Sequence, residues 1–220
     1  MTVGISTRST GLVLNGEVNR GSVAPTTLVD KSRYGNDGTI DGATWVREPS
    51  GLWGLRFGPV ADDYVSCGTD ASITGLTTAI TVEVWFNAPA NADTVVISNQ
   101  KTDAMPVWRI FIYANLVRFD IAASKYALNA YAGNTWTHVV ATYDKVKLRI
   151  AVNGVQTDGD AYTTNIVTGT TVELGRRKKN DNTYDSYFVG YQALPRIYNR
   201  ALSATEILNH FNREKHLFGV

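Results

Sequence analysis

Residues 136–155 run Trp-Thr-His-Val-Val-Ala-Thr-Tyr-Asp-Lys-Val-Lys-Leu-Arg-Ile-Ala-Val-Asn-Gly-Val, and this stretch decides the fold class. Its β-branched and aromatic residues, broken at short intervals by turn residues, are typical of antiparallel strands. Asp144-Lys145 predicts the first turn, after a strand from Trp136 to Tyr143. Asn153-Gly154 predicts a type I′ hairpin turn, because both central residues of that turn need positive φ. The stretch therefore indicates consecutive paired strands.

Short strands of the same kind extend in both directions. Leu116, Arg118 and Asp120 alternate with apolar residues, which is typical of a sheet with one wetter face. Pro195 cannot donate a ladder hydrogen bond, so we expect an edge or a bulge there. Other predicted strands cover Thr81–Phe86, Thr94–Ser98, Val107–Tyr113, Leu116–Ala122, Thr171–Leu174 and Ser186–Tyr198.

One helix is predicted near the end of the chain. Ser203 and Glu206 have the spacing of a capping box, in which each side chain satisfies a backbone N–H. Ile207, Leu208 and Phe211 then fall on a common face that could pack on a sheet. The fold class predicted is all-β: a two-sheet antiparallel β-sandwich with one short C-terminal helix.

Length and charge limit the organisation and the partners. The 220 residues suit one sandwich domain, which we assign to residues 11–220 after a polar N-terminal arm at residues 1–10. The 21 basic and 20 acidic residues give a formal net charge of +1. Nucleic acid is therefore excluded as the expected partner, since binding it needs a broad positive field.

The sequence carries one cysteine, Cys67, which excludes an intrachain disulfide and which we expect to be a small buried residue. The first ten residues do not have the pattern of a signal peptide. No apolar stretch reaches the length of a spanning helix, so membrane insertion is not expected. We expect synthesis in a cytoplasm.

Seven segments carry a recognisable pattern: Gly11–Leu14, Val29–Thr39, Asp62–Val65, Ala79–Trp85, Trp136–Asp144, Val152–Gly154 and Arg196–Ile207. They resemble the laminin G-like jelly rolls of the concanavalin A-like lectin/glucanase superfamily and follow the family order over residues 11–208. The resemblance implies two antiparallel sheets packed face to face in a jelly roll.

The superfamily includes glucanases, whose paired carboxylates lie on one strand as an E-x-D-x-x-E run. This sequence has no such run. Glu83 stands among apolar residues, and Asp158-Gly159-Asp160 is expected in a solvated loop after the hairpin. His138 falls on a strand position of the family pattern, so a structural role is favoured over that of a base. The prediction is a protein without catalytic residues.

Calcium is carried by many relatives, and no other cofactor is indicated. Asp30, Asn36 and Asp37 could supply some of its oxygen ligands, although calcium needs six to eight. The alternative, which we favour, is that Asp30 and Asn36 make side-chain-to-backbone turn bonds. The acidic pair that relatives carry before the helix is absent between Gly190 and Tyr198, which is a further argument against a calcium site.

Two surface sites are predicted from composition. Sugar binding needs an aromatic platform with polar groups around it, and the segment 180–191 offers both. Its candidate ligand-binding residues are Tyr184, Tyr187, Tyr191, Asn180 and Asn182. A dense basic run is the candidate docking patch for an acidic partner, unless it is only a solvated loop. Its residues are Arg176, Arg177, Lys178 and Lys179.

Two functions fit these observations. The favoured one is a non-catalytic structural or binding protein of a virion, as a phage capsid decoration or tail component presenting a lectin-like sandwich. Its partners would be other virion proteins, further copies of the chain and a cell-surface glycan, and residues 1–10 could order against a neighbour. The alternative is a soluble or secreted carbohydrate-binding module of a larger glycan-active protein, which would place the chain outside the cell.

Overall fold

The computed structural model describes residues 11–18, 26–59, 62–101, 107–121, 125–178 and 183–220. Antiparallel strands make up most of this part of the chain, as the sequence predicts. The strands are β1 (Leu12–Val18), β2 (Thr27–Asp30), β3 (Gly38–Asp41), β4 (Thr44–Arg47), β5 (Trp53–Phe57), β6 (Tyr64–Ser66), β7 (Ile80–Asn87), β8 (Thr94–Gln100), β9 (Trp108–Tyr113), β10 (Leu116–Ile121), β11 (Lys125–Ala130), β12 (Thr137–Tyr143), β13 (Lys147–Val152), β14 (Val155–Ala161), β15 (Thr171–Leu174), β16 (Arg177–Lys178), β17 (Tyr184–Asp185) and β18 (Gly190–Tyr198). The α-helices are α1 (Ala71–Thr74) and α2 (Ala204–Glu214), and a 3₁₀ turn at Lys215–Leu217 follows α2.

The strands form two sheets that share β1. The first sheet runs β18-β7-β12-β13-β14, with β1 and β5 both pairing with β18 and β4 pairing with β5. The second sheet runs β11-β10-β9-β8-β15-β6-β3-β2-β1. β1 pairs with β18 through its first half and with β2 through its second half, which joins the sheets. The arrangement is the predicted jelly-roll sandwich.

The main core lies between the two sheets. It is built from inward-facing side chains of both, including Val82, Phe119, Ile150 and Val172, all fully buried. Cys67 lies in the same core, as predicted, and its burial raises the pKa of the thiol to about 12. Helix α2 covers the outer face of the first sheet, where Ile207 packs in a second apolar cluster. Among the described residues no helix has the length and apolar character to cross a bilayer.

Two local predictions are confirmed in detail. Asn153 and Gly154 have φ angles of 49° and 80°, so the hairpin between β13 and β14 has the positive φ values of a type I′ turn. Ser203 caps α2: its hydroxyl accepts the N–H of Glu206, and the Glu206 carboxylate accepts the N–H of Ser203. Each signal is local in sequence, which is why the sequence alone identifies it.

The prediction of a solvated loop at Asp158-Gly159-Asp160 is wrong. These residues belong to β14, the edge strand of the first sheet, which pairs with β13. Gly159 lies against β11, the edge strand of the second sheet, and a Cβ there would come within 2.4 Å of the Ala127 Cβ. Asp160 accepts the N–H of Tyr126 at 3.0 Å. The turn-like composition therefore reflects close contact between two sheet edges.

The expectation of an edge or bulge at Pro195 is confirmed. The pairing of β18 with β7 shifts register between Ala193 and Arg196, and Leu194 has a φ of 49°. The proline thus lies at a β-bulge, where its missing N–H removes no ladder bond. β18 begins at Gly190, four residues later than the sequence predicts.

Candidate functional site

The outer face of the second sheet carries aromatic side chains at one end. Strand register places them together: Leu116 pairs with Tyr113, and Arg118 pairs with Phe111 on β9 and Leu128 on β11. Directly paired residues of an antiparallel sheet point to the same face. The core residues of β10 alternate with these, so this face points away from the core.

We call Phe111, Tyr113, Leu116, Tyr126 and Leu128 the aromatic platform. Tyr113 is 57% exposed, Leu128 38% and Tyr126 37%, although all are large hydrophobic residues. The rings of Phe111 and Tyr113 are nearly parallel, 13° apart, with centroids separated by 6.3 Å. Exposed apolar side chains grouped on rigid strands mark a binding surface more often than isolated ones do.

Two arginines and one carboxylate lie beside the platform. Arg109 Nε donates to Asp120 Oδ2 at 2.8 Å, and Arg118 Nε donates to the other Asp120 oxygen. The Arg118 guanidinium lies 4.1 Å above the centroid of the Tyr126 ring, and that of Arg109 lies 4.6 Å from the centroid of Phe111. Planar cations stacked on aromatic rings are held in one orientation. The result is a flat apolar surface with fixed polar donors at its border.

A second aromatic cluster lies further along the same face. The guanidinium of Arg176 sits between the rings of Tyr64 and Tyr184, 3.2 Å and 3.6 Å from their centroids. Glu173 accepts both Arg176 Nε and Nη2, at 2.9 Å and 2.8 Å. Glu173 and Asp120 fall in one row of the sheet through Ser98 and Arg109. This cluster fixes the loop after β15 to the sheet.

The three tyrosines predicted as a sugar platform do not lie together. Tyr184 stacks on Arg176. Tyr187 hydrogen-bonds Asp62, and its pKa is raised mainly by burial and secondly by the negative charge of Asp62. Tyr191 lies on the outer face of the first sheet, its ring 6.3 Å from that of Trp136. Asn180 and Asn182 lie outside the described residues. The ligand-binding role of these residues stays a prediction.

The predicted docking run is largely engaged within the chain. Arg176 is buried in the stack just described. Arg177 makes a bidentate ion pair with Asp185, at 2.8 Å and 2.7 Å, which joins β16 to β17. Lys178 is half-buried, and Lys179 lies outside the described residues. A docking role for these four residues stays a prediction, but two of the charges already have partners.

Asp30, Asn36 and Asp37 come together in the loop after β2. Asp30 accepts four hydrogen bonds, from the backbone N–H groups of Asn15, Ser32 and Asn36 and from the Ser32 hydroxyl, at 2.7–2.8 Å. Asp37 accepts the N–H of Asp30 at 2.7 Å. A calcium shell needs free carboxylate oxygens, and Asp30 has none to spare. As they stand, these residues do not fit the ion.

A buried polar network lies beneath α2, on the outer face of the first sheet. Arg196 bridges Glu83 and Glu214, each at 2.9 Å, and all three side chains are at most 4% exposed. His138 Nε2 lies 2.9 Å from Glu83 Oε1, and His210 Nδ1 lies 3.1 Å from Glu83 Oε2. Burial raises the pKa of Glu83, but Arg196 and the two histidines outweigh it and hold this pKa well below the usual value.

Glu83 should make the folded protein sensitive to acid. Its folded-state pKa lies below the unfolded value, so its stabilising contribution is present above the unfolded pKa and is lost as the pH falls through the folded one. We expect the free energy of unfolding, measured in urea, to fall between about pH 5 and pH 2. The variant Glu83→Gln should flatten this dependence. A Glu83→Gln curve parallel to that of the parent protein would contradict the assignment.

Comparison with known proteins decides the family. Residues 59–208 match the family model Laminin_G_3, described as the concanavalin A-like lectin/glucanases superfamily. The chain belongs to this superfamily. No curated protein matches the sequence.

Solved structures show the same fold in toxin binding domains. The chain resembles the binding domain of botulinum neurotoxin DC in complex with SialylT, with 17% identity and a TM-score of 0.70, covering 92% of this chain and 51% of that one. It also resembles the binding domain of Paraclostridial Mosquitocidal Protein 1, with 15% identity, a TM-score of 0.70 and coverages of 92% and 52%. A botulinum neurotoxin type C structure, whose cell entry is described as dependent on two ganglioside molecules, matches with 16% identity, a TM-score of 0.72 and coverages of 92% and 51%. The chain thus spans about half the length of these solved chains.

Among the described residues, Glu83 and Glu214 are two carboxylates that lie close together, as the pair of a glucanase does. Their oxygens and a His138 nitrogen lie within 4.8 Å of one another. A retaining glycosidase needs one carboxylic acid and one nucleophile that reach the substrate. Here Arg196 bridges both carboxylates, and α2 covers them. The arrangement fits a structural network, and the same guanidinium occupies the space that a metal ion would need.

Sequence reasoning missed the aromatic platform. The alternation at Leu116, Arg118 and Asp120 indicated a wetter face, and that prediction is correct. What it lacked was the register of the neighbouring strands, which places Tyr113 and Tyr126 on the same face. Two-residue periodicity along β9 and β11 was the signal that could have found them.

Proposed function

We propose that the protein is a non-catalytic saccharide-binding module and that the aromatic platform is its binding face. The observation that carries this proposal is the set of exposed aromatic side chains on rigid strands, bordered by oriented guanidinium donors. The apolar C–H face of a sugar ring can pack on Tyr113 and Phe111, while its hydroxyls hydrogen-bond to the polar border. Membership of a lectin-containing superfamily supports the same proposal.

Two structural neighbours with the same fold support the proposal of saccharide binding. One is described in complex with SialylT, and another as dependent on ganglioside molecules for cell entry. Both descriptions belong to those toxins, at identities of 17% and 16%. For the present chain, a cell-surface glycan as ligand is therefore a proposal, and its binding face has to be established on its own residues.

Replacing Tyr113 with alanine should weaken saccharide binding by about tenfold or more, equivalent to about 1.4 kcal/mol. The substitution removes the most exposed ring of the platform and leaves the core untouched, so the fold should persist. Binding would be measured by titration calorimetry with the best ligand from a glycan array.

Tyr34→Ala is the matched control, since Tyr34 is 36% exposed but lies in the loop between β2 and β3. It should bind as the parent protein does. Equal binding by Tyr113→Ala and the parent, or an array with no hit above background, would overturn the proposed function.

A virion-associated role is a separate proposal. It rests on the polar arm at residues 1–10, which lies outside the described residues, and on the sequence-based expectation of assembly partners. Electron microscopy of particles would test it: full decoration by a protein lacking residues 1–10 would exclude the arm as the attachment device. Capsid or tail attachment is compatible with saccharide binding, because the platform and the arm are different parts of the chain.

A further inference from the structure

We infer that the saccharide bound by the platform carries an anionic group, a carboxylate or a sulfate ester, and that Arg118 binds it. This inference rests on the proposed function and adds the chemical class of its ligand. The observation behind it is the charge balance of the platform border. Arg109 and Arg118 share a single carboxylate, that of Asp120. One positive charge is therefore left without a counter-charge in this group.

The nearby acidic residues do not supply that counter-charge. Glu173, in the same row of the sheet, is held in a bidentate pair by Arg176. Asp160, at the edge beside Tyr126, accepts the Tyr126 N–H at 3.0 Å. The charge of Glu173 is thus paired with Arg176, and within the described part of the chain neither Glu173 nor Asp160 forms an ion pair with Arg109 or Arg118.

Arg118 is suited to bind an anion from solution. Its side chain is 34% exposed, and only its Nε is used for Asp120. Among the described residues, neither of its Nη atoms has a hydrogen-bond partner, so both are available as a fork for a carboxylate or sulfate. The Tyr126 ring and Asp120 together hold the guanidinium in place, which lowers the entropy lost on binding.

Arg109 adds a second positive charge beside Arg118, because both arginines bind the Asp120 carboxylate. The Arg109 side chain is only 10% exposed. Its Nη1 is buried without a hydrogen-bond partner within the described part of the chain. Buried donors are normally paired, and an unpaired one calls for an explanation. A buried cation with an unused donor directly beside Arg118 makes the border more attractive to an anion.

The spacing fits one sugar residue. Arg118 lies directly opposite Phe111, so Tyr113, two residues further along β9, is its diagonal neighbour. Diagonal neighbours across a strand pair are about 7–8 Å apart. A pyranose ring packed on Tyr113 would place a ring carboxylate or sulfate within reach of the Arg118 fork. The same arrangement gives a neutral sugar the stacking contact alone.

The test compares acidic and neutral saccharides on the protein and four variants. The probes are a uronic-acid oligosaccharide, a sialylated oligosaccharide, a sulfated oligosaccharide and the neutral counterpart of each. The variants are Arg118→Gln, Arg118→Lys, Tyr113→Ala and the control Arg33→Gln. Arg33 is also an exposed arginine stacked on a tyrosine, with its guanidinium 4.9 Å from the Tyr34 ring centroid. It lies in the loop between β2 and β3, and the strands β8, β15 and β6 separate β3 from β9 in the sheet.

We expect an acidic probe to bind about tenfold or more tightly than its neutral counterpart, and Arg118→Gln to remove that difference. Arg118→Lys should keep part of it, Arg33→Gln all of it, and added salt should reduce it. The carboxylated and sulfated probes identify which anion is preferred. Equal binding of acidic and neutral probes, with Tyr113→Ala still weakening both, overturns this inference and leaves the proposed function standing. Binding of none of the probes, and of no glycan on an array, overturns both.

Discussion

Replacing Arg196 with methionine should lower the free energy of unfolding by about 3–5 kcal/mol. Arg196 is the cation between Glu83 and Glu214, whose side chains are 0% and 2% exposed. Methionine preserves much of the volume but removes the cation between two buried carboxylates. The remaining pair of Glu214 with Arg213 is longer, at 3.6 Å, and that arginine is 55% exposed. The loss of one partner from a buried ion pair costs far more than the pair itself contributes, because the remaining charge is desolvated.

Urea unfolding followed by tryptophan fluorescence would measure this effect. Arg149→Met is the matched control: Arg149 also contacts two carboxylates, Asp144 and Asp158, but these pairs are partly exposed, with side-chain exposures of 23–56%. Such pairs contribute about 0–1 kcal/mol, so the control should lose little. The two variants therefore separate burial from the number of ion pairs.

An apolar triple variant would test the cause of the loss. Combining Arg196→Met with Glu83→Leu and Glu214→Leu removes the uncompensated charges, and it should recover much of the stability that the single variant loses. A single variant within about 1 kcal/mol of the parent would show that the network is better hydrated than its burial indicates. Trp85 Nε1–H donates to Glu214 at 3.0 Å, and both histidines contact Glu83. No recovery in the triple variant would point to the loss of these hydrogen bonds.

The sequence could not predict this network because its members are remote in the chain. Glu83 belongs to β7, His138 to β12, Arg196 to β18 and Glu214 to α2. Seen as a sequence, Glu83 is an isolated charge in an apolar strand. Its role depends on the order of strands in the sheet and on the docking of α2, neither of which a local pattern encodes. The structural role predicted for His138 nevertheless agrees with its complete burial.

Features that depend on a few consecutive residues were predicted correctly. The positive φ angles at Asn153 and Gly154, the capping box at Ser203 and the bulge at Pro195 each follow from backbone chemistry within one turn. Asp158-Gly159-Asp160 has the same kind of composition but lies in a strand, because tertiary contact with β11 requires a glycine there. Local composition therefore identifies turns only where no neighbouring element competes for the same residues.

At the surface sites, too, the sequence identifies local features but not those that depend on tertiary contacts. The sequence predicted binding and docking roles for aromatic and basic residues around β16 and β17, and those roles stay predictions. It could not show that Arg176 is enclosed by Tyr64 and Tyr184. An arginine that appears free in sequence can be fully used in the fold. The guanidinium whose two Nη atoms are unused belongs to Arg118 on β10. The alternation of polar and apolar residues along β10 does not indicate that a positive charge is in excess there.

Replacing Asp30 with alanine should lower the free energy of unfolding by about 2–6 kcal/mol. The Asp30 carboxylate accepts the backbone N–H groups of Asn15 and Asn36, both buried, at 2.8 Å. Each buried donor that loses its acceptor costs about 1–3 kcal/mol. These bonds tie β1 to the loop after β2, where the two sheets join, so their loss should also loosen that corner. Thermal and urea unfolding would measure the effect.

Asp37→Ala is the matched control, because Asp37 lies in the same loop but is exposed and accepts the single N–H of Asp30. Its loss should be about 1 kcal/mol. Since the oxygens of Asp30 are all engaged, we expect calcium or a chelator to leave the melting temperature of the parent protein unchanged. A melting temperature that rises by about 5 °C or more with calcium, in the parent but not in Asp30→Ala, would instead establish Asp30 as a metal ligand. A small loss in Asp30→Ala without any calcium effect would mean that water replaces the carboxylate at both N–H groups.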